Sequence, residues 1–207
     1  MFHTRPMVEA MAKTRTSDRE GSEARARILS AAYDVFAATG FRGSTLDGVA
    51  KRAGMSRAGV LHHFASKQAI LIALLDQRDL DLNTDRLPDD SATELLTSMR
   101  GSIRAILDGR DLVKLAHMLT AEAADVDHPA HDWLVARSRR IRESMAAAFE
   151  ASFERGELSR TADSATLAAL CLGAIEGLEA QWLVDPDEVD VEAGVTLLES
   201  LIRGALV

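Results

Sequence analysis

Cysteine occurs once in the 207 residues, at Cys171, so an intramolecular disulfide framework is excluded. Its neighbours Leu170 and Leu172 are apolar, which predicts a buried and inert thiol, with a redox sensor as the alternative. The longest apolar stretch around it, residues 165–175, falls short of the roughly 20 residues that a membrane span needs. The sequence therefore argues against a disulfide-stapled scaffold and against a membrane-spanning helix.

Aromatic residues are scarce, at 4%, whereas alanine and leucine are abundant and 47% of the chain is hydrophobic. Apolar and polar residues never alternate long enough to predict a strand, so we predict an all-α fold. The chain has no nucleophile elbow, phosphate-binding glycine loop or helical metalloprotease motif. We therefore expect a protein that is not an enzyme and that needs no cofactor.

Charge is unevenly distributed along the chain, which carries −8 in total. Residues 1–75, the head, hold 11 Lys/Arg and 6 Asp/Glu, a net charge of +5; residues 76–207, the body, hold 13 and 26, a net charge of −13. A basic head on an acidic body confines attraction for phosphate to one end of the molecule.

The N-terminal residues 1–21 mix basic side chains with Thr, Ser, Pro and Gly, and they lack the apolar segment of a signal peptide. We expect a cytoplasmic protein whose first 21 residues form a disordered arm, with a role in following the DNA minor groove as one option. Ser22 is the expected cap of the first helix, and Gly40 its C-terminal stop.

The most specific pattern lies in residues 44–67 and predicts two short helices joined by a tight turn. Leu46, Val49 and Ala50 form an apolar stripe for the first helix, and Ser56 opens a second one that ends near Phe64. Ser44 or Thr45 can cap the first helix while the other faces DNA. This is a helix-turn-helix pattern, whose second helix fits a DNA major groove.

Arg57 is the expected base reader, and the small residues Ala58 and Gly59 allow the helix to approach base edges closely. Ser66 is the expected N-cap of a further helix. Lys67 in its first turn opposes the helix dipole unless an anion such as DNA phosphate binds there.

Residues 24–78 resemble the N-terminal domain of TetR-family transcriptional regulators. The resemblance rests on Ala31-Ala32, Phe36, Gly40-Phe41, Thr45, Ala53-Gly54-Met55-Ser56, His62-His63-Phe64 and Ser66-Lys67. It implies a homodimeric, all-helical bacterial regulator with a three-helix head that binds operator DNA and a larger helical body that binds a small effector. Phosphate contacts are implied for Thr45, Ser56, His63 and Lys67, and groove contacts for Arg57, Ala58 and His62. Leu61 departs from the family, which usually has Tyr there, so the phosphate bond of that hydroxyl is not expected.

Helical patterns continue through the body, at about 91–107, 112–124, 133–155, 163–183 and 188–206, the last of them with Asp185 or Asp187 as cap. A turn at residues 87–90 marks the domain boundary. We therefore divide the chain into the arm (1–21), a helix-turn-helix domain with a linking helix (22–82), and an effector-binding and dimerisation domain (83–207).

The last two helices carry small residues that allow another helix to approach closely, so we expect a homodimer through them; packing only within one body is the alternative. Candidate effector contacts are Met99, Ile103, His117, Met118, Trp133, Phe149 and Trp182. Most residues of these types simply belong to a core. A histidine in the position of His117 is likewise more often a core or pocket residue than a specific effector contact. Glu122, His128 and His131 could offer metal ligands, but a capping role near Pro129 is commoner, so we predict no metal.

The expected function is that of a homodimeric repressor that a small-molecule effector releases from a palindromic operator. An effector-dependent activator or co-repressed regulator is the first alternative, and a non-specific architectural DNA-binding protein the second.

Overall fold

The computed structural model describes residues 5–81, 87–160 and 162–204, and its regular structure over these ranges is entirely α-helical. This confirms the all-α prediction. The helices in these ranges are α1 (Arg5–Gly43), α2 (Leu46–Arg52), α3 (Arg57–His63), α4 (Lys67–Asp81), α5 (Ala92–Asp108), α6 (Arg110–Glu122), α7 (His131–Glu154), α8 (Ser164–Val184) and α9 (Val191–Gly204).

The first helix begins at Arg5, whereas a disordered arm was expected over residues 1–21. That expectation is wrong from residue 5 onwards, and residues 1–4 lie outside the described ranges. Ser22 lies inside α1 and does not cap it. Pro6 is tolerated because the first turn of a helix needs no partner for its missing N–H, and the following residues are good helix formers. Gly40 ends the regular helix as predicted, with φ 70° and ψ 170°.

Two compact units divide the chain after Leu75, which coincides with the head and body defined by charge. The division falls inside α4 and not at the predicted turn at residues 87–90. All four helices of the head contribute fully buried apolar side chains, which are those of Ile28, Ala32, Phe36, Val49, Val60, Ile70 and Leu71.

Two apolar clusters form the core of the body. The larger one centres on Met145 and Phe149 of α7 and includes Cys171 of α8, whose thiol is 1% exposed. Burial raises the pKa of this thiol to about 11, as expected for an inert core cysteine. The smaller cluster contains Ile103, Ile175, Val191 and Val195, and Met99 packs against both.

The body helices begin and end within about three residues of their predicted bounds. Helix α9 begins at Val191, because the Asp190 carboxylate accepts a hydrogen bond from the Ala193 amide at 2.8 Å, so Asp190 is its cap in place of Asp185 or Asp187. Gly194 allows close packing of α9 on α8: a Cβ there would lie 2.8 Å from the Leu178 side chain.

Helix α8 has the length and apolar composition of a membrane span, and among single helices of the described ranges it alone does. The sequence predicted too short an apolar stretch, because the helix continues through Glu176 and Glu179 to Val184. Only 17% of its most apolar window is buried within the chain. The chain itself therefore leaves much of this helix only half-buried or exposed.

Candidate nucleic-acid interface and effector region

The two short helices of the head begin at hydroxyl caps. Thr45 Oγ1 accepts a hydrogen bond from the Gly48 amide, and Ser56 Oγ accepts one from the Gly59 amide, each at 3.0 Å. Both residues are exposed. A hydroxyl that accepts in this way can still donate its O–H, so each cap is able to serve its helix and a phosphate oxygen at once.

Ser44, the other candidate cap, does not face outward. It is 6% exposed, and its hydroxyl donates to the Phe41 carbonyl at 2.6 Å. The expectation that one of Ser44 and Thr45 caps α2 while the other faces DNA is therefore corrected: Thr45 is both the cap and the exposed residue.

The turn between α2 and α3 depends on Gly54, whose φ of 66° is a conformation that residues with a Cβ rarely adopt. The Gly54 and Met55 amides donate to the Lys51 and Ala50 carbonyls, which closes the end of α2. Val49 and Val60 are fully buried and hold the two helices on the head core. The predicted helix-turn-helix is thus present.

One face of α3 is exposed and carries Arg57, Ala58, Leu61 and His62, which are spaced by one helical turn. Gly59 and His63 lie at its edges, half-buried. Arg57 forms an ion pair with Asp47 of α2, with 3.1 Å between Nη1 and Oδ2. Both side chains are more than half exposed, and such pairs contribute at most about 1 kcal/mol, so Arg57 can exchange this partner for a base.

Lys67 has a structural role that its position in the sequence did not reveal. Its ammonium donates to the Phe41 and Ser44 carbonyls at 2.7 and 2.8 Å and lies 4.1 Å from the centre of the Phe41 ring. Ser66 caps α4 as predicted, because its Oγ accepts from the Ala69 amide at 3.1 Å. The expectation that Lys67 needs an anion to offset the helix dipole is corrected, because the carbonyls of Phe41 in the last turn of α1 and of Ser44 after it bind the ammonium.

Arg25 holds the far end of α3, a role that the sequence did not indicate. Its guanidinium donates to the His63 carbonyl at 2.8 Å and stacks 4.1 Å from the centre of the Phe64 ring. Cations near a helix C-terminus stabilise its last carbonyls. Arg25 therefore fixes the C-terminal end of α3.

The predicted effector residues fall into different environments. Phe149 is fully buried in the larger cluster, whereas Ile103 is buried in the smaller one, against which Trp182 and Met99 pack. Trp133 donates its indole N–H to Asp76 at 2.7 Å. Met118 is half-buried on α6.

His117 does not lie in either apolar cluster but meets a carboxylate of α8. Its Nε2 lies 3.3 Å from Glu179 Oε2, and Glu179 is 8% exposed. Glu176, one turn earlier, is partly exposed to solvent, yet desolvation of its carboxyl by burial, and then the charge of Glu179, raise its pKa from the ordinary value. Arg137 and His117 oppose that rise through their charges.

Asp79 at the end of α4 is the most buried carboxylate that sequence reasoning missed. Arg137 Nε donates to both of its oxygens, at 2.8 and 3.0 Å, and Arg140 adds a bond at 3.3 Å. Asp76 and Asp79 thus bind Trp133, Arg137 and Arg140 of α7. In the sequence, the two aspartates of α4 and their three partners in α7 are each spaced by about one helical turn. That spacing alone does not identify partners more than 50 residues apart.

His128 and His131 bond backbone atoms at the junction of α6 and α7, although α7 itself has no side-chain cap. His128 Nδ1 accepts from the Ala130 amide at 3.2 Å, which assigns the proton to Nε2, and this atom lies 3.4 Å from Glu122. His131 Nδ1 donates to the Ala123 carbonyl at 2.8 Å at the end of α6. Within the described ranges, no group of three His, Cys, Asp or Glu side chains is arranged to hold a metal.

Comparisons with known proteins agree with this geometry. Residues 28–74 match the family model of bacterial regulatory proteins, tetR family, and residues 121–207 match that of the BetI-type transcriptional repressor, C-terminal. The HTH-type transcriptional regulator SrpR of Pseudomonas putida is 29% identical over 177 residues, which are 84% of this chain and 82% of SrpR.

Two solved repressor structures share the fold. SmeT, the repressor of the Stenotrophomonas maltophilia multidrug efflux pump SmeDEF, aligns in its triclosan complex with a TM-score of 0.76 and 23% identity, over 88% of this chain and 91% of its own. NalD, the secondary repressor of the MexAB-OprM multidrug efflux pump in Pseudomonas aeruginosa, aligns with a TM-score of 0.74 and 22% identity, over 90% and 97%.

Proposed function

The chain belongs to the TetR family of bacterial transcriptional regulators, and we propose that it is a homodimeric repressor that a small molecule releases from a palindromic operator. Members of this family are DNA-binding regulators and not enzymes. The observation that carries the proposal is the exposed face of α3, which is flanked by hydroxyl caps on the only basic unit of the chain. We place its action in the cytoplasm, where its DNA lies.

For the head, we propose that Thr45, Ser56, His63 and Lys67 contact phosphates, and that Arg57, Ala58, Gly59 and His62 face the groove. The exposed caps support the first set, and the exposed face of α3 supports the second. Lys67 contributes chiefly by holding the carbonyls of Phe41 and Ser44, which keeps Thr45 in place. Phosphate contacts supply affinity on every sequence, whereas groove contacts supply discrimination.

For the body, we propose dimerisation through α8 and α9. Their exposed apolar side chains Leu170, Val184, Leu197 and Leu201 are each at least 60% exposed. Gly173 and Gly177 add open space, because a Cβ at either position would meet no atom within 4 Å apart from its own stretch of helix. Glycine in a helix is destabilising by about 1 kcal/mol relative to alanine, and close packing of a second copy offsets that loss.

We propose that the effector is a mainly apolar small molecule that binds within the body and contacts some of Met99, Ile103, His117, Met118, Trp133, Phe149 and Trp182. The triclosan complex of SmeT supports this choice of ligand class. Because Trp133 bonds Asp76 in the second half of α4, a ligand that displaces the indole changes how α4 is held. DNA and effector then lower each other's affinity, typically by about 1 to 3 kcal/mol.

Selection of bound fragments from genomic DNA with the purified protein tests the operator. We expect the recovered fragment to contain an inverted repeat and to retain binding against a large excess of random DNA. Equal competition by random DNA would favour the architectural alternative. Repeating the binding with a metabolite and drug panel tests the effector: release supports a repressor, whereas tighter binding supports a co-repressed regulator or an effector-dependent activator.

A further inference from the structure

Leu61 is an exposed apolar side chain on the surface of the head. Within residues 20–75, whose side chains the structure describes, it is the only large apolar side chain that is exposed, at 40%. It lies on α3 on the same face as Arg57, one helical turn away. A single exposed leucine is ordinary on a protein surface, but this one stands on the face that the family directs into the major groove.

The chemistry of the leucine side chain limits what it can recognise there. It cannot donate to a phosphate, and it cannot pair with the polar atoms of a base edge. The one apolar group that a base pair displays in the major groove is the C5-methyl of thymine. The methyl group of Ala58, three residues earlier on the same exposed face, extends the apolar surface.

We infer that Leu61 is a specificity-determining residue, which reads a thymine of the operator by packing against its C5-methyl group. This inference rests on the proposed operator binding. Leu61 follows Arg57 by four residues, which is about 6 Å along the helix at 1.5 Å per residue. Steps of about 3.4 Å per base pair place the thymine about two base pairs from the one that Arg57 reads.

The test uses the selected operator with each thymine of a half-site replaced singly by uracil, which lacks only the methyl group. Fluorescence anisotropy gives the affinity of the full-length protein for each duplex. We expect one substitution to weaken binding about four-fold, the value for one buried methyl group. We expect Leu61→Ala to bind the thymine operator more weakly and to lose the preference for thymine over uracil at that position.

Two further variants separate recognition from loss of structure. Leu61→Met keeps an apolar side chain and should keep the preference. Leu80→Ala removes a leucine of the body that is 56% exposed, and it should change neither affinity nor preference. A circular dichroism spectrum like that of the unchanged protein confirms that each variant is folded.

Three results would overturn the inference. The unchanged protein could bind every uracil duplex as well as the thymine operator, or Leu61→Ala could weaken binding while keeping the thymine preference. Binding of all DNA with equal affinity would remove the proposed function and this inference with it. Specific operator binding without a thymine-methyl effect would remove only the inference.

Discussion

Asp47 is an exposed carboxylate on the surface of the head that we propose to bind DNA. It lies in the first turn of α2, where it complements the helix dipole, and it pairs with Arg57 across the two helices. In the proposed complex the charge of Asp47 repels phosphates and lowers affinity for every sequence, while its ion pair restrains the Arg57 guanidinium. We therefore expect Asp47 to favour discrimination over affinity.

Asp47→Asn should raise affinity for random DNA by up to about five-fold, the equivalent of about 1 kcal/mol, and lower the preference for the operator. Anisotropy on both duplexes measures this. Asp34→Asn is the matched control, because Asp34 pairs with Arg52 at 2.8 Å in the same unit but away from α3. A gain in affinity that is equal for both variants would show that only the net charge of the head matters.

Lys67→Met should lower the free energy of unfolding of the head by about 2 kcal/mol, because it removes two charge-assisted bonds to the Phe41 and Ser44 carbonyls. Urea unfolding followed by circular dichroism measures the change. Lys51→Met removes an exposed lysine of α2 and should leave stability almost unchanged. If the two variants unfold alike, Lys67 would be assigned to phosphate binding alone, and the salt dependence of DNA binding would then fall by a slope of about 1 for each subunit.

At the scale of helices, α3 is short and cannot be stable by itself, since isolated helices of this length are marginal in water. Its seven residues are held by the Ser56 cap at one end, the Arg25 guanidinium at the other and Val60 in the core. The geometry of the turn before it is therefore as important for recognition as the side chains on its face.

Gly54→Ala should destabilise the head by about 1 to 2 kcal/mol, because the residue would keep a positive φ. A Cβ there would meet no atom within 4 Å beyond its immediate chain neighbours, so the loss would come from backbone conformation alone. Gly101→Ala, in the middle of α5 and equally unobstructed, should instead stabilise the protein by up to about 1 kcal/mol. Urea unfolding distinguishes the two signs, and a gain for both variants would contradict the assigned turn.

Asp79→Ala should destabilise the body by about 3 kcal/mol, because it leaves Arg137, whose side chain is 12% exposed, without its carboxylate. Glu150→Ala breaks the more exposed pair with Arg160 and should have little effect. We also expect Asp79→Ala to alter DNA affinity, since α4 joins the two units. Unchanged stability would mean that water replaces the carboxylate at this site.

At the scale of the whole molecule, α8 and α9 leave Leu170, Leu197 and Leu201 at least 60% exposed, and we propose that a second copy of the chain covers them. Leu170→Glu should dissociate the dimer and weaken operator binding together, because one head then binds one half-site. Sedimentation velocity and anisotropy measure the two effects. Val126→Glu, at a position 73% exposed outside these helices, should change neither. A Leu170→Glu protein that stays dimeric would show that the interface lies elsewhere.

The sequence by itself determined the helical class, the helix-turn-helix, the caps Ser56 and Ser66, the break at Gly40 and the split of charge between head and body. These features are local: they depend on the 3.6-residue period and on side chains that bond the backbone within three or four residues. The division of charge between head and body likewise follows from composition alone and does not depend on which residues are in contact.

Only the tertiary structure decided which long-range partners each side chain has. It assigned Lys67 to carbonyls 23 and 26 residues away, Arg25 to the end of α3, and Asp79 to α7. It also separated Phe149 from Ile103, which the sequence grouped as one effector surface. Such pairings depend on how the helices pack. An apolar stripe in the sequence indicates that a helix face is buried, but it does not indicate which residues cover that face.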